Sequence, residues 1–258
     1  MLKTVPDILA RIVENKKAEL VDRVGGIAQA AENSVAHRRD FHRALTTHTP
    51  AIIAEAKKAS PSGGILREDF DPVPIAQAYQ RAGAAAISVL TDRNHFKGSL
   101  ADLESARAAT TLPALRKDFT IDTYHVHEAA AHGADAILLI AAILTERQMR
   151  DFRELAETYK MSALVEVHDE EELKPVIASG ARIIGVNNRN LHTFEVDLAV
   201  SLRLADKIPD TVVKVTESGI RSSADIQRLR AAGYQAFLVG EHLIRSGDPE
   251  KALRDLLS

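Results

Sequence analysis

Eight short apolar runs, each separated from the next by a longer segment of helical period, dominate the chain from about residue 50 onward. The runs cover 51–56, 84–90, 113–117, 134–141, 161–167, 182–186, 211–216 and 235–239. Amphipathic stretches such as 74–82, 145–159, 169–179 and 222–232 lie between them, with start signals at Thr145-Glu146, His168-Asp169 and Ser222-Ser223. Several end in glycine, at Gly83, Gly133, Gly180 and Gly233, as a left-handed residue closing each helix requires. Strands apolar on both faces and joined by helices call for a parallel sheet. Eight such units in about 210 residues match a closed (β/α)8 barrel, the TIM barrel of the α/β class, better than an open doubly wound sheet. An open sheet with a nucleotide site would carry a glycine-rich loop, and neither G-x-G-x-x-G nor G-x-x-x-x-G-K-[ST] occurs.

Residues 1–49 precede the barrel of 50–258 and read as a helical extension packed on it, the whole forming one structural unit. Ile8, Leu9, Ile12, Val13 and Leu20 make one apolar stripe among charges of both signs, which disfavours a membrane-surface helix. Lys16-Lys17 and Arg38-Arg39 read as solvated faces, and Gly25-Gly26 as a loop after the first helix. The chain has no cysteine, so disulfides, thiolate nucleophiles, iron–sulfur clusters and cysteine-held zinc are excluded. The longest apolar run, 136–144, is about half a membrane span. The opening residues lack the apolar core of a signal peptide, and a cytoplasmic protein is expected. A formal charge of −3 and 4% aromatic residues argue against a nucleic-acid surface. His125 and His127, two apart on a helix, face different sides, so no metal site is expected.

In this architecture, side chains at the C-terminal strand ends point into the mouth. The two-residue period of the first strand turns Ile53, Glu55 and Lys57 inward, and burying either charge unpaired would cost several kcal/mol. A mutual structural ion pair is one explanation and catalysis is the other. The later strands add Lys117, Glu166, Asn187, Arg189 and Glu217 to the same opening. Ser218-Gly219 and Gly240-Glu241 follow strands seven and eight, where backbone N–H groups of such barrels often cradle phosphate. Lys57, Lys117 and Arg189 balance Glu55, Glu166 and Glu217, so the mouth carries no net formal charge.

Eight ordered motifs span essentially the whole chain: Glu55-Ala-Lys57-Lys-Ala-Ser60, Ser88-Val-Leu-Thr-Asp92, Phe96-Lys-Gly-Ser-Leu100, Leu115-Arg-Lys117-Asp-Phe119, Leu164-Val-Glu166-Val-His168, Gly185-Val-Asn187-Asn-Arg189, Glu217-Ser-Gly-Ile220 and Leu238-Val-Gly-Glu241. Together they resemble the indole-3-glycerol-phosphate synthase family of tryptophan biosynthesis. The resemblance implies ring closure, decarboxylation and dehydration of 1-(2-carboxyphenylamino)-1-deoxyribulose 5-phosphate to indole-3-glycerol phosphate, CO2 and water, without a cofactor. It implies Lys117 as general acid, Glu166 as base and Lys57 as a second proton donor, either lysine being able to serve either step. Glu55 and Asn187 would orient these groups. Ser60 and Arg189 would contact the substrate carboxylate or the charged network. Phe96 and Phe119 would wall the anthranilate ring, although both also suit an ordinary core.

Ser218, Gly219, Gly240 and Glu241 would surround the phosphate, the Glu241 side chain turning away so that its N–H can bind, and Glu217 would be a further substrate-binding residue. Gly63-Gly64 stands where the family often has Lys-Gly, which implies a looser first loop, and Ala56 stands where Ile is frequent on the outward face. The expected partner is the phosphorylated small molecule, with no nucleic acid and no membrane, on a monomer or weak homo-oligomer compatible with association with other enzymes of the pathway. The alternatives are another phosphate-binding barrel such as phosphoribosylanthranilate isomerase, which would leave Lys57, Lys117 and Glu166 unexplained, or a non-catalytic barrel.

Overall fold

In the computed structural model, which describes residues 7–22 and 25–258, each of the eight apolar runs is a strand. The opening residues read above as lacking a signal peptide, 1–6, lie outside the described ones. The strands are β1 (Ala51–Ala56), β2 (Ala59–Ser60), β3 (Gly64–Ile65), β4 (Ala86–Leu90), β5 (Ala114–Lys117), β6 (Ala136–Ile140), β7 (Ser162–Val167), β8 (Ile183–Asn187), β9 (Val213–Glu217) and β10 (Ala236–Val239). Short β2 and β3 pair with each other in the first loop, and the other eight close into a parallel barrel in chain order, β10 returning to β1. The helices are α1 (Asp7–Glu19), α2 (Ile27–Ser34), α3 (Phe41–Thr47), α4 (Pro72–Ala82), α5 (Arg93–Phe96), α6 (Leu100–Ala108), α7 (Thr123–Ala131), α8 (Glu146–Thr158), α9 (Glu170–Ala178), α10 (Ala199–Leu204), α11 (Ser223–Ala231), α12 (Glu241–Arg245) and α13 (Pro249–Leu257).

The start signals act as expected. Thr145 and Ser222 form reciprocal capping boxes with Gln148 and Asp225, and the Asp169 carboxylate accepts from the Glu171 and Glu172 N–H groups. Gly83, Gly133, Gly180 and Gly233 all take positive φ, between 80 and 99°.

The two faces of the strands build two cores. Outward residues such as Ile52, Ala54, Ala56, Val89, Leu139 and Val165 pack beneath Tyr79, Leu103, Val126 and Leu229 of the helices. Inward residues, among them Ile53, Leu115, Leu164 and Val215, fill the barrel. The residues before β1 form no single added helix, because they split by position. α1 joins the inner core at the mouth with Leu9 and Ile12. α3 joins it at the opposite end, where Phe41 and Leu45 lie with Ala51, Ala86 and Ala236 at the strand starts. α2 packs on α7 at the side.

Arg38 and Arg39 are not the solvated face expected of them. Arg38 donates to the carbonyls of Ala130, Ala134 and Tyr159 (2.6, 2.5 and 3.1 Å), and Arg39 donates to those of Arg107 and Leu112. Helix C-termini leave such carbonyls unsatisfied, and two long cations supply the donors. Beside them Asp135, fully buried, accepts from Arg107 Nε and Nη2 (2.9 Å each), the Arg39 N–H (2.8 Å) and the Ala114 N–H (2.9 Å). Asp135→Ala therefore strands one bidentate cation and two amides together. A loss of roughly 3–5 kcal/mol is expected in urea unfolding, with kcat/KM at room temperature unchanged because Asp135 sits at the end away from the mouth. A midpoint equal to the parent's would contradict the assignment.

Candidate active site

The strand register places Glu55, Lys117, Glu166 and Glu217 at one height. Glu55 pairs through Ser88 with Leu115, two residues short of Lys117. Leu115 pairs through Ala136 with Ser162, so Lys117, two residues further on, falls two short of Glu166. Glu166 pairs through Gly185 with Val215, two short of Glu217. Glu217 pairs through Leu238 with Ile53, two short of Glu55. Four steps of two make the eight-residue shear of such a barrel, in which alternate strands supply the four side chains of each layer. The layer below is aliphatic, Ile53, Leu115, Leu164 and Val215, all buried. The topmost layer is charged.

Its members are paired. Lys117 Nζ lies 3.0 Å from Glu166 Oε2 and 3.3 Å from Glu217 Oε2. Lys57 Nζ lies 2.7 Å from Glu55 Oε1, and Asn187 Nδ2 donates to Glu166 Oε1 at 3.1 Å. Burial alone would lower the Lys117 ammonium, but Glu166, Glu217 and Glu55 outweigh it and hold it above its ordinary value. Glu166 is held below the carboxylate range. Burial opposes this, and Lys117, His168 and Asn187 overcome it. Glu217 goes the other way, pushed up to about 7 by burial and, against the pull of Lys117, by the neighbouring Glu166 and Glu55. Its Oε1 is buried and finds no hydrogen-bond donor among the described residues. The layer thus holds a charged donor, a charged acceptor and a carboxyl that titrates near neutrality.

All fourteen site residues expected from sequence line one cavity of about 440 Å³ at the mouth. Phe96 and Phe119 stand on one side of it, ring centroids 6.1 Å apart and tilted by 38°. Ser60 Oγ accepts from the Gly63 N–H at 3.1 Å, which ties the first loop. Arg189 reaches Ser62 Oγ, the Phe194 carbonyl and Glu241 Oε2, each at 3.3 Å. Ser218 and Gly219 both take positive φ, 70 and 85°, turning the chain sharply after β9. Gly240 is required by its neighbour, because a Cβ there would run into the Glu55 carboxylate. The Glu241 side chain turns to Arg189 and to Arg245 Nε (3.2 Å), leaving its N–H at the start of α12.

Sequence reasoning missed Arg221 and Arg245, which also line the cavity, and it misplaced Lys16. Lys16 is buried, its Nζ 2.9 Å from Asp118 Oδ1, 3.5 Å from Asp92 Oδ2 and 3.0 Å from Glu19 Oε2. Asp118 follows Lys117, and Asp92 accepts from the His95 and Phe96 N–H groups at the start of α5. One cation therefore fastens α1 to both aromatic walls. A signal was present: Ile12, Lys16 and Leu20 are four apart, on the face that the apolar stripe buries.

The indole-3-glycerol phosphate synthase family model matches residues 9–256. A relative of that name from Desulfotalea psychrophila is 51% identical over 255 residues, covering 97% of this chain and 98% of its own. One from Polaromonas naphthalenivorans is 48% identical over 259 residues, covering 97% and 98%. The chain belongs to the indole-3-glycerol phosphate synthase family. Among solved structures, an N-acetylmannosamine-6-phosphate 2-epimerase from Clostridium perfringens superposes with a TM-score of 0.63 at 16% identity, covering 82% of this chain and 95% of that one, a likeness of fold alone.

In this synthase-family barrel the charged layer destabilises as well as serves. Glu217 binds its proton more tightly folded than unfolded, so its contribution to stability is present below pH 4.5 and is lost as pH rises through about 7. Glu217→Gln does not titrate. The Tm of E217Q minus that of the parent should therefore increase between pH 5 and pH 8, measured by calorimetry. A difference independent of pH would place Glu217 outside the coupled layer.

Proposed function

We propose that the chain closes the indole ring of 1-(2-carboxyphenylamino)-1-deoxyribulose 5-phosphate, releasing CO2 and water to give indole-3-glycerol phosphate. The observation that carries this reading is the Lys117 ammonium held between Glu166 and Glu217 in the wall of a half-apolar cavity. An arene attacks a ketone weakly, so the carbonyl oxygen must gain a proton as the carbon–carbon bond forms. Lys117, kept charged by three carboxylates, is the donor. Loss of CO2 returns the bonding pair to the benzene ring, and no external oxidant or reductant is needed. Dehydration then needs one proton delivered to the departing hydroxyl and one removed from the new ring. Lys57, paired with Glu55, is placed for the first, and Glu166, kept ionised, for the second. Phe96 and Phe119 would hold the aromatic ring flat, with Ile8, Leu9 and Ile12 of α1 completing the apolar wall. The N–H groups around Ser218–Gly219 and at Gly240–Glu241 would receive the phosphate.

Because the protein contains no tryptophan, indole fluorescence of the product can be followed on a nearly dark background. Lys117→Ala and Glu166→Gln should each reduce kcat by at least about 100-fold in folded protein. Retained turnover in both would overturn the role assignments.

The cavity wall carries five cations (Lys57, Lys117, Arg189, Arg221, Arg245) against five carboxylates (Glu55, Asp118, Glu166, Glu217, Glu241), so the balance read from sequence persists with a larger set. The expected salt dependence of kcat/KM is shallow, and a steep fall from low to moderate ionic strength would count against capture by directed donors.

A further inference from the structure

We propose that His168, clamped by Glu172, is a positioning residue for Glu166, holding that carboxylate ionised and fixing which of its oxygens is free to take a proton. The inference rests on the reading of Glu166 as the base and adds a second residue pair behind it.

His168 is two residues beyond Glu166, immediately after the end of β7, and its ring comes back beside the Glu166 carboxylate. His168 Nε2 lies 3.3 Å from Glu166 Oε1. Its Nδ1 lies 3.0 Å from Glu172 Oε2, and its backbone N–H donates to that same oxygen at 2.7 Å. Glu172, in the first turn of α9, is itself buried, so one carboxylate oxygen holds both the His168 backbone N–H and its ring Nδ1. Carboxylate oxygens only accept, so the Nδ1 facing Glu172 carries a proton, and Nε2, buried without a hydrogen-bond partner among the described residues, faces Glu166 Oε1 as a close charge, a setting that favours the imidazolium.

The other groups around it do not substitute for this charge. Asp169 turns its carboxylate to the Glu171 and Glu172 N–H groups. The turn at Ala141–Ile143, packed against β7 and α9, offers only Ala and Ile. Asn187 of β8 reaches Glu166 Oε1 with a neutral amide, and Lys117 of β5 takes Oε2. The Glu166 carboxylate is thus pinned on Oε1 by Asn187 and His168. Only Oε2 faces an ammonium whose own proton transfer would release it. Burial would lower the imidazole, yet Glu166 and Glu172 together raise it to about 10.

Two readouts separate this role from mere packing. In nitrogen-15 histidine NMR of the full chain, the His168 ring should carry protons on both nitrogens at pH 8, and in Glu172→Gln it should lose one at a lower pH. In activity, His168→Asn and His168→Gln should move the acid limb of kcat/KM up by at least about one pH unit, a tenfold loss at fixed acid pH. The effect should fall on kcat more than on KM, and E172Q should shift the limb the same way by less. A parent imidazole that titrates in the ordinary range near 6.5 overturns the proposal, as does a pH profile of H168N or E172Q superimposable on the parent's. Should the His168 variants not fold, E172Q and the parent spectrum still decide it. Glu166→Gln assayed alongside keeps the two readings apart: an active E166Q removes the base itself, whereas an inactive E166Q with unshifted His168 and Glu172 variants removes only this inference.

Discussion

A lysine ammonium shared by two carboxylates on the inside of a closed ring of strands is the constraint from which the rest of this molecule follows. Lys117, Glu166 and Glu217 come from alternate strands, with Glu55 completing the set, and the shear of the barrel brings all four to one height. Burying any one of them alone would cost several kcal/mol. Glu55 finds Lys57 two residues on, but Lys117, Glu166 and Glu217 are tolerable only because the ring brings them within about 3 Å of one another, so closure of the fold and assembly of the charged layer go together. The aliphatic layer directly below keeps water from entering from beneath, which strengthens every interaction above it.

That layer is supported by a second set of charges that begins with Asp118 at the cavity wall and runs behind it. Lys16 draws α1 across the mouth and joins it to Asp118, next in sequence to Lys117, and to Asp92, which caps the helix carrying Phe96. Asp118 is itself held by Thr91 (2.5 Å) and Arg116 (3.1 Å), and both Arg116 and Lys16 keep it well below the carboxylate range against the cost of burial. Polar connections of this kind are worth little on a surface and much in a dry interior. They tie α1 to the wall of the cavity.

The fold was legible because its signals are local. Strand and helix periods, the caps at Thr145, Asp169 and Ser222, and the junction glycines all follow from interactions within a few residues, and every one appears in the structure. The inward turn of Glu55, Lys57, Lys117 and Glu166 was legible for the same reason, since alternation along a strand is a local property. Lys16, Arg38 and Arg39 were not, because a long cation reads as exposed until its distant carboxylate or carbonyl partners are known. Gly240 is a further case. Its small size reads as room for a phosphate, while the atom that forbids a side chain there is the Glu55 carboxylate, 185 positions earlier in the chain.

Sequence alone determined the eight-fold alternation, which faces of the strands turn inward, and the ordered motifs that mark the family, since each is encoded in short-range periodicity or in residue identity. Tertiary structure alone decided which charges meet across the ring, that burial and its carboxylate neighbours push Glu217 up while Lys117 holds Glu166 down, that the pre-barrel helices divide between mouth, side and base, and that Glu172 of α9 holds His168 beside Glu166. Those outcomes depend on distances between residues of different elements, and such distances exist only once the ring has closed and the interior has lost its water.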